Sequence, residues 1–129
     1  DKGINFLDTA ELYENYAQIK ESLINRPRDS VNIFTKSYAY DSKTAEDSLA
    51  KALKELNTDY IDGFLIHEQE SEHTLRGHIE AAEFFVRAKE KGYIRTFGVS
   101  THSINCVLAS LKYDFIDVIH PLFNKSGIN

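Results

Sequence analysis

Several things are nearly missing from this chain, and each shortage removes a class of function. Cys106 is the only cysteine in 129 residues, which excludes an intrachain disulfide and any Cys-based metal motif. A reducing, cytoplasmic setting is therefore expected. No apolar run approaches the roughly 20 residues that a membrane span needs. No basic cluster occurs, and a net charge of −5 argues against a polyanionic partner such as nucleic acid. No low-complexity or Pro/Gly-rich linker interrupts the sequence, so residues 1–129 are expected to form a single domain. There is neither a signal peptide nor an initiator Met. The chain opens on Asp1-Lys2-Gly3 and runs directly into an apolar segment, as though cut from something longer.

What remains is the composition of a soluble globular domain, 42% apolar and 27% charged. Apolar, β-branched or aromatic runs fall at 4–7, 31–35, 60–66, 94–99 and 116–123, and each reads as a strand. Helical patterns lie between them. In 15–24, Ile19 and Leu23 share a face. The next helix carries one stripe of Ala45, Leu49, Ala52, Leu53 and Leu56, with Thr44 and Asp47 as its expected capping pair. A third helix is expected over 75–91, closed by Gly92, and a weaker one after Ser103.

The order is βα four times and then β, with the spacing of parallel βαβ units. Two architectures offer it: an open doubly wound sheet, or part of a (β/α)₈ barrel. No Gly-x-Gly-x-x-Gly follows any strand, so the dinucleotide form of the open sheet lacks its marker.

In both architectures the working residues stand at the carboxyl ends of strands. Those positions hold Asp8-Thr9-Ala10 with Tyr13 just beyond, then Thr35-Lys36, Ile66-His67, Gly98-Val99-Ser100, and His120 in the last run. Singly, each has a structural reading. Asp8 could cap a helix, Lys36 could be a solvated charge, Tyr13 a core aromatic and His67 a satisfied core histidine. Together on one rim they form a proton-transfer kit. A free tyrosine, with a pKa of about 10, is too weak an acid to protonate a carbonyl oxygen efficiently at neutral pH. A neighbouring ammonium makes it a better donor, a carboxylate keeps that ammonium charged, and a histidine can orient the carbonyl.

Gly3-Ile4-Asn5-Phe6-Leu7-Asp8-Thr9-Ala10-x-x-Tyr13 resembles the aldo-keto reductase signature at the second barrel strand. Thr35-Lys36, Leu65-Ile66-His67 and Gly98-Val99-Ser100 follow in that family's order. The resemblance covers essentially the whole chain and implies an α/β fold, a partial (β/α)₈ (TIM) barrel of five parallel strands with four intervening helices. It implies a catalytic tetrad of Asp8, Tyr13, Lys36 and His67, with Tyr13 as general acid. It also implies NADPH, or less often NADH, with cofactor contacts from Asp8, Ser100, Thr101 and His120. Thr101 stands where the family commonly has Asn, and His120 where it often has Gln. The implied partner is a small-molecule carbonyl compound.

The stretch from His67 to His78 resembles a reductase branch often fused to a C-terminal ferredoxin-like iron–sulfur module, so any such cluster would belong to a further module. A zinc reading of that stretch fails on spacing, because His-Glu-x-x-His would need histidine at position 71. Glu68, Glu70 and Glu72 read as a solvated loop, His73 and His78 as surface or capping residues, and Cys106 as an inert, half-buried thiol.

Five strands leave two open edges. Carbonyl reduction by the isolated 129 residues is therefore not expected, whereas self-association is. Two other readings remain: a reductase-like nicotinamide-binding regulatory protein without useful turnover, and a barrel enzyme using Lys36 as a Schiff base. The sharpest geometric expectation is that the Lys36 ammonium reaches both the Asp8 carboxylate and the Tyr13 hydroxyl.

Overall fold

A computed structural model describes residues 3–125 and 127. Strands β1 (Phe6–Asp8), β2 (Asn32–Ser37), β3 (Ile61–Ile66), β4 (Ile94–Thr101) and β5 (Val118–Pro121) form one sheet in sequential order. All four pairings are parallel. The helices between them are α1 (Tyr16–Ser22), α2 (Ser42–Leu56), α3 (Glu72–Gly77), α4 (Ile79–Glu90) and α5 (Ile104–Ser110).

Alternation along the strands sorts side chains between two faces. In β2, Ile33 joins the main core and Thr35 meets the Tyr16 hydroxyl of α1 at 2.6 Å, so these two face the helices. Phe34 and Lys36 therefore face the other way. Leu7 and Ile119 pack towards the helical layer, which turns Asp8 and His120 to that same second face. The second face is concave. Asp8 Oδ1 and His120 Nδ1, on the two edge strands, come within 3.9 Å, whereas four spacings in a flat sheet would part them by roughly 19 Å. The sheet is a curled half-barrel with its helices outside.

Between sheet and helices lies a stack of aromatic rings: Phe64 on Phe85 at 4.4 Å, and Phe85 on Phe97 at 5.6 Å. Buried Ala45, Leu49, Ala52 and Leu56 of α2 and Ala81, Ala82 and Ala88 of α4 bring the two helices close to that stack. Burying each large apolar side chain contributes about 1.5–3 kcal/mol. On the concave face, Phe34 covers Gly63, where a Cβ would stand 2.2 Å from the ring. Gly98 is required for another reason. A Cβ there would lie 2.1 Å from the Val118 carbonyl oxygen, so only glycine lets β5 pair at this point.

Three local details differ from expectation. The capping residue of α2 is Asp41, whose carboxylate accepts from the Thr44 backbone N–H at 2.7 Å, while Thr44 closes the capping box from inside the helix. Asp47 pairs with Lys43 instead, at 2.5 Å. The segment expected as one helix over 75–91 is two helices, parted at His78, whose Nδ1 lies 2.8 Å from the Thr74 carbonyl oxygen. Cys106 is fully buried rather than half-buried.

The amino end of the sheet is closed by an ionic staple. Asp62, 4% exposed, accepts from Arg28 at 2.7 Å, from Arg95 at 2.9 Å and from the Ile33 backbone N–H at 2.9 Å. Both guanidinium groups also lie over the Tyr60 ring, at 4.2 and 4.1 Å.

Candidate active site

The carboxyl ends of β1 to β4 build the opposite rim. After Asp8, the backbone N–H of Thr9 extends the ladder to the Phe34 carbonyl, and the chain then tightens into a 3₁₀ turn, Glu11–Tyr13. Glu14 ends that turn in the left-handed region, φ 52°, and the Thr9 hydroxyl donates to Asn15 Oδ1 at 2.6 Å. This closed loop carries Tyr13, half exposed, over the rim.

Lys36 is 3% exposed and fully charge-compensated. Its ammonium donates to Asp8 Oδ1 and Oδ2, both at 2.8 Å, and to the Thr9 carbonyl at 2.9 Å. An ammonium has three protons, and here all three have acceptors. The expected contact with Asp8 is present. The expected contact with Tyr13 is not: Lys36 Nζ stands 5.6 Å from the centroid of the Tyr13 ring, with no hydrogen bond to its hydroxyl. The reason is donor count. Tyr13 can engage the ammonium only if Lys36 withdraws a proton from one Asp8 oxygen or from the Thr9 carbonyl.

His67 follows β3 directly and continues the ladder through its N–H to the Ser37 carbonyl at 2.8 Å. It is 5% exposed, and its ring lies against two tyrosines, edge-on to Tyr13 at 5.9 Å and stacked on Tyr38 at 4.7 Å. Burial holds its pKa below the usual histidine value; Lys36 and His102 lower it further, while Glu68 and Asp8 oppose the shift. Nδ1 has no hydrogen-bond partner among the described residues. The ring is therefore neutral near pH 7, with an unsatisfied nitrogen.

The cofactor candidates divide. Ser100, 6% exposed, accepts the Glu68 N–H on its hydroxyl oxygen at 3.0 Å, which leaves its own proton free to donate. His120 is half exposed, beside Asp8 across the concave face. Thr101, 1% exposed, is committed elsewhere. Its hydroxyl accepts the Ser103 N–H at 2.9 Å and lies 3.3 Å from the Ser103 carbonyl, fixing the start of α5.

Sequence reasoning missed three members of this rim. Tyr38 stacks on His67 and donates to the Glu68 carboxylate. Its place two residues beyond Lys36, on the same side of the strand, was the available signal. Glu68, read as part of a solvated loop, is exposed but holds a left-handed backbone, φ 51°, that carries its carboxylate to Tyr38. Burial and Glu68 together push the Tyr38 hydroxyl up to about 12, and the hydrogen bond from Tyr38 lowers the Glu68 pKa. Gln69 is 2% exposed and donates to the His67 carbonyl at 3.2 Å, while its Oε1 has no partner among the described residues. Nothing in the sequence marked it.

Comparison with known proteins finds relatives along nearly the whole chain. Residues 1–119 match the sequence profile of the aldo/keto reductase family. An aldo-keto reductase of Mycolicibacterium paratuberculosis is 31% identical over 99% of this chain and 48% of its own length. An NADPH-dependent alpha-keto amide reductase of Saccharomyces cerevisiae is 29% identical over 85% of this chain and 37% of its own. Among solved structures, the holo form of an aldo-keto reductase from Bacillus halodurans superposes with a TM-score of 0.78 at 30% identity, covering 94% of this chain and 42% of that one. The chain thus spans half or less of the length of these relatives.

Proposed function

The chain belongs to the aldo/keto reductase family, and on that premise we propose that its rim reduces the carbonyl group of an aldehyde or ketone, with Tyr13 as the general acid. The observation that carries this reading is the buried Lys36–Asp8 pair, with Tyr13 and His67 gathered beside it. An ammonium held in place by two carboxylate oxygens and a carbonyl remains charged, and its field favours the phenolate that Tyr13 becomes on giving up its proton.

His67 orients the carbonyl. Its Nδ1 lacks an acceptor, so the single proton of the neutral ring belongs on Nε2, which then donates to the substrate oxygen. A neutral imidazole cannot replace Tyr13 as the acid, because it is a far weaker proton source than its charged form. The two groups therefore have separate tasks, positioning by His67 and proton delivery by Tyr13.

The resident cofactor is a nicotinamide dinucleotide, which supplies a hydride to the carbonyl carbon when bound. NADPH is favoured over NADH, in keeping with the NADPH dependence of the yeast relative. The free Ser100 proton suits a carboxamide oxygen, and Asp8 and His120 border the same concavity. Thr101 offers nothing of this kind, because its hydroxyl is spent on α5. That gap favours a second reading, a nicotinamide-binding regulatory protein without useful turnover. Stoichiometric NADPH oxidation on adding an aldehyde separates the two. A Schiff base at Lys36 is disfavoured, since a nucleophilic amine must be uncharged and Asp8 stabilises the ammonium.

The decisive experiment is Tyr13→Phe in the reductase that contains this chain. Aldehyde-dependent NADPH oxidation should fall by at least about a hundredfold, with cofactor affinity retained. Reduction at the wild-type rate would end this reading. Taken alone, the 129 residues carry two edge strands and exposed Phe6 and Phe123, which support self-association. Sedimentation of the isolated chain as a monomer would count against that. The buried thiol of Cys106 suits a reducing, cytoplasmic setting. Among the described residues, no helix is long and apolar enough to cross a membrane.

A further inference from the structure

His67 lacks the usual means of fixing an imidazole. A working histidine is normally oriented by a hydrogen bond on its second ring nitrogen. Here Nδ1 is buried and has no partner among the described residues. The His67 N–H is tied to the Ser37 carbonyl at 2.8 Å, which fixes where the side chain starts but not how its ring is turned. The last torsion of a histidine side chain is broad and roughly two-fold, so an unbonded ring is free to swing. Its orientation must come from the groups packed against it.

Two rings do this, and they are not equivalent. Tyr13 meets His67 at 77° with centroids 5.9 Å apart, from a half-exposed loop position. Tyr38 lies nearly parallel to the imidazole, at 28° and 4.7 Å. A parallel stack restrains the plane of the ring, which an edge contact does less well. Tyr38 is also held at both ends. Its backbone follows Ser37, the residue that receives the His67 N–H, and its hydroxyl donates to the carboxylate of Glu68, the residue after His67. Glu68 is turned to meet it by a left-handed backbone, φ 51°, which non-glycine residues seldom adopt, and its N–H is anchored on Ser100 Oγ at 3.0 Å. The tyrosine thus straps the imidazole between two points of attachment, one on each side of His67.

We propose that Tyr38 is a positioning residue for His67: its ring, tethered through Glu68, holds the imidazole in the plane that presents Nε2 to the substrate oxygen. The inference rests on the carbonyl-reduction reading above and adds a residue to it. Tyr38 acts through His67 and is not a second acid. Its proton is committed to Glu68, and burial together with that carboxylate pushes its hydroxyl up to about 12.

The test is made in the intact reductase. Tyr38→Leu removes the stacking ring and should lower kcat by about tenfold or more, since a misplacement of about 1 Å can cost roughly a hundredfold. Tyr38→Phe keeps the ring and loses only the tether, so it should restore most of that loss. Glu68→Ala, which removes the tether from its other end, should match Tyr38→Phe. NADPH affinity should be unchanged in all three. The measurement peculiar to positioning is the double variant: once His67→Gln has removed the imidazole, Tyr38→Leu should cost nothing further. Losses that multiply would show Tyr38 acting independently of His67 and overturn the proposal, as would a Tyr38→Leu enzyme with wild-type kcat. If Tyr38→Leu does not fold, the same comparison is made with Tyr38→Phe and Glu68→Ala. NMR of histidine-labelled enzyme needs no turnover. The His67 ring protons should carry a ring-current shift from Tyr38, kept in Tyr38→Phe and lost in Tyr38→Leu. If no aldehyde is reduced, the carbonyl-reduction reading fails, and this shift still decides the strap: its absence in wild type, or its survival in Tyr38→Leu, rules the strap out.

Discussion

The two ends of this sheet each bury a carboxylate–cation assembly, and they are finished to different degrees. At the amino end, Asp62 is 4% exposed and takes two guanidinium groups and a backbone N–H, while both arginines also lie over the Tyr60 ring. At the carboxyl end, Lys36 is as deeply buried, but Asp8 is 37% exposed, and His67 Nδ1 and Gln69 Oε1 have no partner among the described residues. One assembly is closed and the other keeps unused valences. In a barrel-type sheet the first pattern reads as stability and the second as chemistry. Burial of charge is common to both ends and so cannot locate a site. Incomplete satisfaction can.

The contrast is sharpest under substitution. Asp62→Asn should replace a buried acceptor of three hydrogen bonds at the closed end with an amide that must turn its NH2 towards a donor, and cost about 1–3 kcal/mol, read as a lowered Tm. Turnover per folded molecule should stay close to wild type. Lys36→Met should reverse the pattern. Carbonyl reduction should fall by at least about a hundredfold, while stability falls less than in Asp62→Asn, because water can reach the Asp8 carboxylate left behind. If Lys36→Met proves the more destabilising of the two, the comparison fails.

A weaker effect should appear with pH. Burial depresses the pKa of His67 in the folded protein below its ordinary value of 6.5. Below that pH the unfolded chain binds a proton that the folded one refuses, so stability should fall as pH drops through 6.5 towards the depressed value. Above 6.5 both states are neutral at this residue and the effect vanishes. Denaturation at stepped pH in wild type and His67→Gln would measure it, and equal slopes in the two proteins would exclude His67 as the source. The smallest change is expected from Tyr38→Phe. Its hydroxyl is at an exposed position, so stability should shift by less than about 1 kcal/mol. The Glu68 pKa should rise towards normal as its hydrogen bond is lost, which carboxyl NMR titration can follow.

The sequence made the frame readable because parallel βα units announce themselves twice, in apolar runs and in the helical stripes between them. All five strands fall where those runs predicted, in sequential order. The break at His78 was hidden because Leu75, Ile79, Ala82 and Phe85 keep nearly helical spacing across it. The α2 cap was misread because Thr44–Asp47 and Asp41–Thr44 have identical spacing, and only Lys43 reveals which acid is engaged elsewhere. At the rim, strand-end position found Asp8, Lys36, His67 and Ser100. It could not foresee that Lys36 would spend every proton before reaching Tyr13, or that Thr101 would turn its hydroxyl into α5. Both depend on counting donors in three dimensions.

The curl that brings Asp8 to His120 also has a consequence in time. Asp8, Tyr13, Lys36 and His67 are all synthesised before β4 begins, and their contacts need only the first three strands. The contact between Asp8 and His120 joins residues far apart in sequence and waits for β5 to dock. On the ribosome, the Asp8–Lys36 cluster is thus encoded before the strand that encloses it, and long-range contacts of this kind are the slow ones to form. A fluorescence-quenching pair placed at the tips of β1 and β5 would report that closing event separately from formation of the first three strands.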